Sequence, residues 1–330
     1  MPDNGWSSRT SAVSCSRLRL AGAALLSVVA APLIAQARSP LDLVVVTAVT
    51  QEGHATDDWL AILRTRLSPA QYDSIAPLQK ALAPDEAAWD SLIHARAPAW
   101  IGLAAPITSL YSPAQPPAVV RVMVGNRGAD DAFTADNHTI AFDLSRLVSI
   151  YGPANDPANG VRIDRFFRHE FSHILQKAWL AAHPWAITSP LNAALFDIWT
   201  EGLGNYYSLS DQWLDPQGQL TDRSRQTLAV LEPRFASNLH ALACADSASA
   251  APLLATLSSG PFDRKWGAIP AALWLASEPE PGDSALRRFI VAGPAGVWDL
   301  AARHIAPELA ESLRDAQQRG SQCGQTSRPE

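Results

Sequence analysis

Cysteine, charge and long apolar runs are all scarce in this sequence. Only three cysteines occur in 330 residues, at a spacing that suits no thiolate-based zinc site. Cys15 lies near the start. Cys244 and Cys323 leave two readings open: a disulfide pinning the C-terminal tail, or two unrelated thiols. Charged residues make up 18% and the net charge is −6, which argues against a nucleic-acid binder, because neutralising phosphates takes a basic face. There is no internal repeat and no low-complexity tract. With 47% apolar residues, the composition excludes collagenous, coiled-coil and disordered chains and leaves an ordinary globular protein.

The apolar stretch at 20–34 is shorter than the roughly 20 residues a spanning helix needs. Arg9, Arg17 and Arg19 precede it and Ala35-Gln36-Ala37 follows it. This is the layout of a cleavable signal peptide over 1–37, cut after Ala37; the alternative is an uncleaved anchor. No cysteine follows the run directly, which argues against a lipid-anchored form, and the segment holds no twin-arginine pair. The expected location is periplasmic or secreted, with no stable membrane span after the signal is removed.

Past this segment, 41–49, 119–124 and 139–144 read as strands, being β-branched and apolar between turn residues. Trp59, Leu60, Leu63 and Leu67 repeat at helical spacing, and Pro69, Pro77 and Pro84 break the 56–96 region into short helices. Five prolines within 97–117 predict an irregular crossing segment. A Gly/Pro/Asn-rich loop at 152–160 precedes helices over 161–182 and 190–208. Helices then follow at 222–243, 250–258, 264–277, 283–291 and 295–317, with a frayed polar tail after Gly320. The class is therefore α+β and helix-rich: a β-containing lobe over 38–185 that ends in the first long helix, then a helical lobe over 186–330.

His169-Glu170-Phe171-Ser172-His173 is an H-E-x-x-H pattern inside the helix expected at 161–182. Residues four apart share a helix face, so two imidazoles can converge on one ion at about 2.0–2.1 Å. Glu170 stands one residue round the helix, where it can reach a water at the metal without binding the metal itself, the position of a general base. A catalytic zinc takes three protein ligands and keeps one place open. Metzincin-type enzymes would need glycine and histidine where Gln176 and Trp179 stand, so that class is excluded. His183 lies too far along the same helix. Glu201 and Asp197 remain, one helical turn apart in the next helix, and Glu201 is favoured because Gly202 and Gly204 beside it suggest a close helix approach. Asp197 and Asn205 are candidates to orient a ligand histidine from behind.

These residues carry a resemblance. Arg168-His169-Glu170-Phe171-Ser172-His173-Ile174-Leu175-Gln176, followed by Trp199-Thr200-Glu201-Gly202-Leu203-Gly204-Asn205-Tyr206, resembles the paired motifs of gluzincin metallopeptidases, above all the peptidase MA-like group. The likeness spans about forty residues. It departs from the pattern in the tighter Trp199–Glu201 spacing and in Gly204 where alanine is usual. Asn205 also stands where thermolysin-like enzymes carry aspartate. It implies a zincin-like N-terminal lobe, one Zn2+ per chain on His169, His173 and Glu201, Glu170 as catalytic acid/base, and a peptide or protein substrate. Tyr206, Tyr207 and His240 are candidates for stabilising the oxyanion. The strand at 139–144 is expected to run along the cleft and pair with an extended substrate, and Trp199 to pack beside the metal helix. Two other classes compete: a peptidase-like binding module in which zinc only ties two helices together, and a zinc amidase acting on cell-wall fragments.

Overall fold

The computed structural model describes residues 41–326 apart from 51, 79, 80, 115, 129, 280 and 281. The expected signal segment and its cleavage point lie outside the described residues. Strand β1 (Asp42–Thr47) leads through α1 (Asp57–Arg66), α2 (Pro69–Ile75) and the long α3 (Pro84–Leu110) to β2 (Val119–Gly125). Next come β3 (Ala132–Thr134), β4 (Thr139–Asp143), α4 (Leu144–Tyr151), α5 (Pro157–Ala182) and α6 (Pro190–Ser208). The chain continues through α7 (Asp222–Leu242), α8 (Ser247–Leu254), α9 (Ala268–Ser277), α10 (Gly282–Ala292), α11 (Gly296–His304) and α12 (Ala310–Thr326). The class is α+β and helix-rich. The described residues all fall in one compact unit, and the expected boundary at 185/186 falls in the loop between α5 and α6.

The sheet order is β1-β2-β4-β3. β1, β2 and β4 run parallel, and the short β3 lies antiparallel on the edge. The pleat sends alternate side chains to opposite faces. Val122, Val124, Ile140 and Phe142 join the large core shared with α3, α5 and α6. Met123, Ala141 and Phe133 meet Trp59 and Leu63 of α1 on the other face. A strand covered on both faces reads as an unbroken apolar run, and β4 is buried at every residue.

That burial corrects one expectation. β4 lies between β2 and β3, so both its hydrogen-bonding edges are occupied and it cannot take up a substrate strand. The outer strands are β1 and β3; the one beside α5 is β3, whose three residues are too few to show an alternating pattern. A second correction concerns 97–117, where α3 continues to Leu110 with Pro98 and Pro106 inside it. Trp89, Ile93, Ala97, Trp100, Ala104 and Ile107 bury one stripe, while both prolines sit on the exposed side. There water can satisfy the carbonyls each ring leaves unpaired. Helix α5 also starts earlier than expected, because Asp156 caps it through Ala158 N at 2.8 Å and Pro157 occupies its first turn. The region 295–317 is two helices broken before Pro307.

The tail beyond Gly320 is helical rather than frayed, running in α12 to Thr326. Cys323 in it is joined to Cys244 by a disulfide, so of the two readings of this pair the bonded one holds. The bridge spans a sequence separation of 79 residues, and disulfides, by restricting the unfolded chain, typically stabilise a fold by about 2–4 kcal/mol. Replacing both cysteines with serine is expected to lower the unfolding free energy by about that amount in denaturant titration. Unchanged midpoints would contradict the pinning role.

Candidate metal centre

Helix α5 is held from behind before it offers anything in front. Phe167 stacks on Trp100 of α3 with ring centroids 4.6 Å apart, and Phe171 follows at 5.5 Å from Phe167. Asp164 accepts the Trp100 indole N–H at 2.8 Å and pairs with Arg96. Truncating an aromatic ring buried like Phe167 costs about 3–5 kcal/mol, so this seam fixes the rotation of α5. With 163, 167, 171 and 174 facing the core, positions 169 and 173 turn towards α6.

Helix α6 begins at a Ser189 cap followed by Pro190, and its buried Leu195, Ile198 and Leu203 set its rotation in turn. Glu201 then presents one oxygen to each imidazole. Oε2 lies 3.6 Å from His169 Nε2 and Oε1 lies 3.6 Å from His173 Nε2. The three side chains offer donor atoms that all fall within 4.8 Å of one another. Tetrahedral zinc with bonds of 2.0–2.1 Å sets its ligands about 3.3 Å apart. Each Glu201 oxygen is within a few tenths of an ångström of that spacing from one ring nitrogen, and the whole group, spread over no more than 4.8 Å, would have to contract to hold such an ion. His183 instead stacks on Trp179 at 3.9 Å, and Asp197 does not belong to the group.

The hydrogen bonds behind the rings come from residues other than those expected. Gln176 Nε2 donates to the Thr200 carbonyl at 3.0 Å, which turns its Oε1 towards His173 Nδ1 at 2.8 Å. An amide oxygen only accepts, so Nδ1 carries the proton and Nε2 keeps its lone pair for the site. Ser208 Oγ lies 3.0 Å from His169 Nδ1. Asn205 is turned onto its own helix, donating to the Glu201 carbonyl at 2.7 Å. Asp197 makes no hydrogen bond to either ring among the described residues; burial, with the charge of Glu201, pushes its carboxyl up to about 6. Burial alone would raise the Glu201 carboxyl, but the imidazoles beside it hold it at about 2. The same pairing lifts His169 above its ordinary value, against the effect of its burial.

Glu170 stands next to this set without joining it. It is 7% exposed, its Oε2 accepts from Thr134 Oγ1 at 2.9 Å, and its Oε1 lies 4.0 Å from His169 Nε2. Thr134 is the last residue of the edge strand β3, so the strand and the carboxylate are tied together. Gly204 makes the convergence sterically feasible: a Cβ there would lie 2.8 Å from His169 Nε2 and 3.0 Å from His173 Cε1. Gly202 serves a different contact, since its Cβ would meet that of Ala271 on α9 at 2.8 Å.

A cleft of about 900 Å³ opens over the centre, bordered by β3, α5, α6 and the segment 258–265. Tyr206 and Tyr207 do not line it. They stand five and six residues past Glu201, about 140° and 240° round the helix, and border a separate cavity of about 310 Å³ with Arg168 and Asp283. His240 pairs with Asp315 of α12 at 3.1 Å. Trp199 likewise faces away from α5, its indole N–H donating to the Phe289 carbonyl at 3.1 Å. The cleft does hold Lys265, whose charge acts on both His169 and Glu201 and which no motif marks in the sequence.

No family model, curated protein or solved structure matches this chain. Losing the hydrogen bond behind a ligand histidine lowers metal affinity by about 10–100-fold. If zinc is held by this group, Gln176→Leu is expected to weaken its binding by that factor in a chelator competition, with the helical circular-dichroism signal retained. An unaltered dissociation constant would refute the role given to Gln176.

Proposed function

We propose that this protein is an exported zinc-dependent metallopeptidase of the gluzincin kind. The observation that carries the reading is the buried carboxylate of Glu170, set beside a three-donor group and held by Thr134. A site whose only task was to tie α5 to α6 would have no use for it, and desolvating a carboxylate is costly. The small mixed sheet with an antiparallel edge strand against the motif helix supports a zincin-like N-terminal region. The signal-like residues 1–37 support export.

Bound at His169, His173 and Glu201, zinc would lower the pKa of a coordinated water towards about 7 and polarise the substrate carbonyl. Glu170 takes a proton from the attacking water as the new C–O bond forms. It returns that proton to the amide nitrogen as the C–N bond breaks. Thr134 keeps the carboxylate aimed during both transfers. The free edge of β3 is available to pair with an extended peptide. Lys265 replaces Tyr206, Tyr207 and His240 as the candidate for stabilising the oxyanion, a contribution of about 3–4 kcal/mol in comparable sites.

Glu170→Gln is expected to keep one zinc per chain by metal analysis while cutting peptide hydrolysis by about 10²–10⁴-fold. Glu201→Ala is expected to lose the zinc. Full activity in Glu170→Gln would sink the general-base assignment, and zinc retained at full affinity by Glu201→Ala would sink the ligand set.

A further inference from the structure

The charge around the cleft is opposite to that of the molecule. The chain carries −6 and only three lysines, yet Lys177, Lys265, Arg66, Arg162, Arg165 and Arg223 all line the cleft. The carboxylates that share it are already engaged. Asp130 pairs with Arg66 at 2.7 Å, and Asp131 accepts the Tyr151 hydroxyl at 2.6 Å. Glu170 is bound by Thr134, and Glu201 lies between the imidazoles.

The other five cations have no ion pair with a carboxylate of the cleft among the described residues. Arg162 bonds to Asn159 and covers the Tyr151 ring, with its guanidinium carbon 4.6 Å from the centroid. Lys177 donates to the Asp136 carbonyl at 2.9 Å. Arg223 donates to Gln212 Oε1 at 2.8 Å and lies over Trp213, and Lys265 sits 5.8 Å from the Phe262 centroid. Arg165 has no hydrogen bond, ion pair or ring contact among the described residues. Partial burial, with Arg162 and Arg168 as neighbours, pushes its guanidinium below its ordinary value, and the more weakly acting Asp211 and Asp164 offset only part of that. An anion in the cleft would relieve that repulsion.

The placement also has a length. On α5, Arg165 precedes His169 by one turn and Lys177 follows His173 by one turn. Twelve residues of helix span about 18 Å, the reach of about five or six extended residues, with the metal pair near the middle. We propose, on the peptidase reading given above, that the cleft selects acidic peptides. Arg165 and Lys177 receive Glu or Asp side chains two or three residues to either side of the scissile bond. A cleft lined by one sign of charge also focuses the field on an approaching anion.

The test uses quenched fluorogenic peptides that differ only in carrying Glu, Gln or Lys three residues from the scissile bond. The wild-type protein is expected to show kcat/KM about tenfold higher for the Glu than for the Gln peptide at low salt, mainly through KM. That ratio should shrink towards one near 0.5 M salt, where screening shortens the range of exposed charges. Arg165→Gln and Lys177→Gln should each lower the Glu-to-Gln ratio several-fold. A ratio of one or less in the wild type, or a ratio unchanged in both variants, would overturn the proposal. Binding of the same labelled peptides to Glu170→Gln protein gives a readout independent of turnover. Salt-sensitive preference for Glu with no cleavage by the wild type would remove the peptidase reading and leave the charge selection standing. Cleavage with no preference would do the opposite.

Discussion

The rotational setting of α5 is the constraint on which the rest depends. One helix must show the core an aromatic stripe, show α6 two imidazoles, and show the edge strand a carboxylate. These demands are separated by single residues, and each residue turns the helix by about 100°. A rotation of one position would carry His169 out of the cleft and bring the carboxylate of Glu170 round in its place. The Trp100–Phe167 stack and the hold of Asp164 on Trp100 and Arg96 prevent that rotation. Gly204 then permits α6 to close on the two rings at a separation no side chain would allow. The polar set is affordable only because it is complete: Gln176 with Thr200, Thr134 with Glu170, and Ser208 beside His169 leave few of its polar atoms without a partner.

How far the sequence revealed this varied with the length over which each signal was spread. The spans of β1, β2, β4, α5 and α6 were legible because each repeats its pattern over a full element or carries a cap, as Ser189-Pro190 does for α6. The H-E-x-x-H pair and Glu201 were legible for the same reason, one as a four-residue period and the other as a carboxylate among unexpected glycines. Thr134 and Lys265 were not, since their roles come from chain segments brought together by the sheet and by the loop before α9. Tyr206 and Tyr207 were misplaced by reading proximity in sequence as proximity in space; helical phase alone would have turned them away from Glu201. Prolines 98 and 106 misled because their effect depends on exposure, which depends in turn on the face that Trp89, Ile93 and Trp100 choose to bury.

The edge strand shows the same lesson from the side of function. β4 is buried at all five residues, Thr139 and Asp143 included, and the apolar Ile140-Ala141-Phe142 between them suits an interior strand, which cannot serve a substrate. The outer strand beside Glu170 is Ala132-Phe133-Thr134, short, with one polar residue and almost without a signature. Phe133 roots it in the core under α1, and Thr134 ties it to Glu170. On the peptidase reading proposed above, a peptide added to that edge would be aligned by the same residue that holds the Glu170 carboxylate.

The unpaired cations of α5 raise a question of balance that magnitudes settle. Arg162, Arg165 and Arg168 follow one another at three-residue spacing, and like charges at that spacing destabilise a helix by about 0.2–0.5 kcal/mol per pair. The opposite face buries Ile163, Phe167, Phe171 and Ile174 completely, and each such side chain contributes about 1.5–3 kcal/mol. The buried face exceeds the repulsion several times over. The fold therefore tolerates an arrangement of charge that folding does not require, with Arg162 and Arg165 on the side that borders the cleft and Arg168 on the smaller cavity beside it. A surface that stability leaves free to be unfavourable is available to be shaped by what binds there.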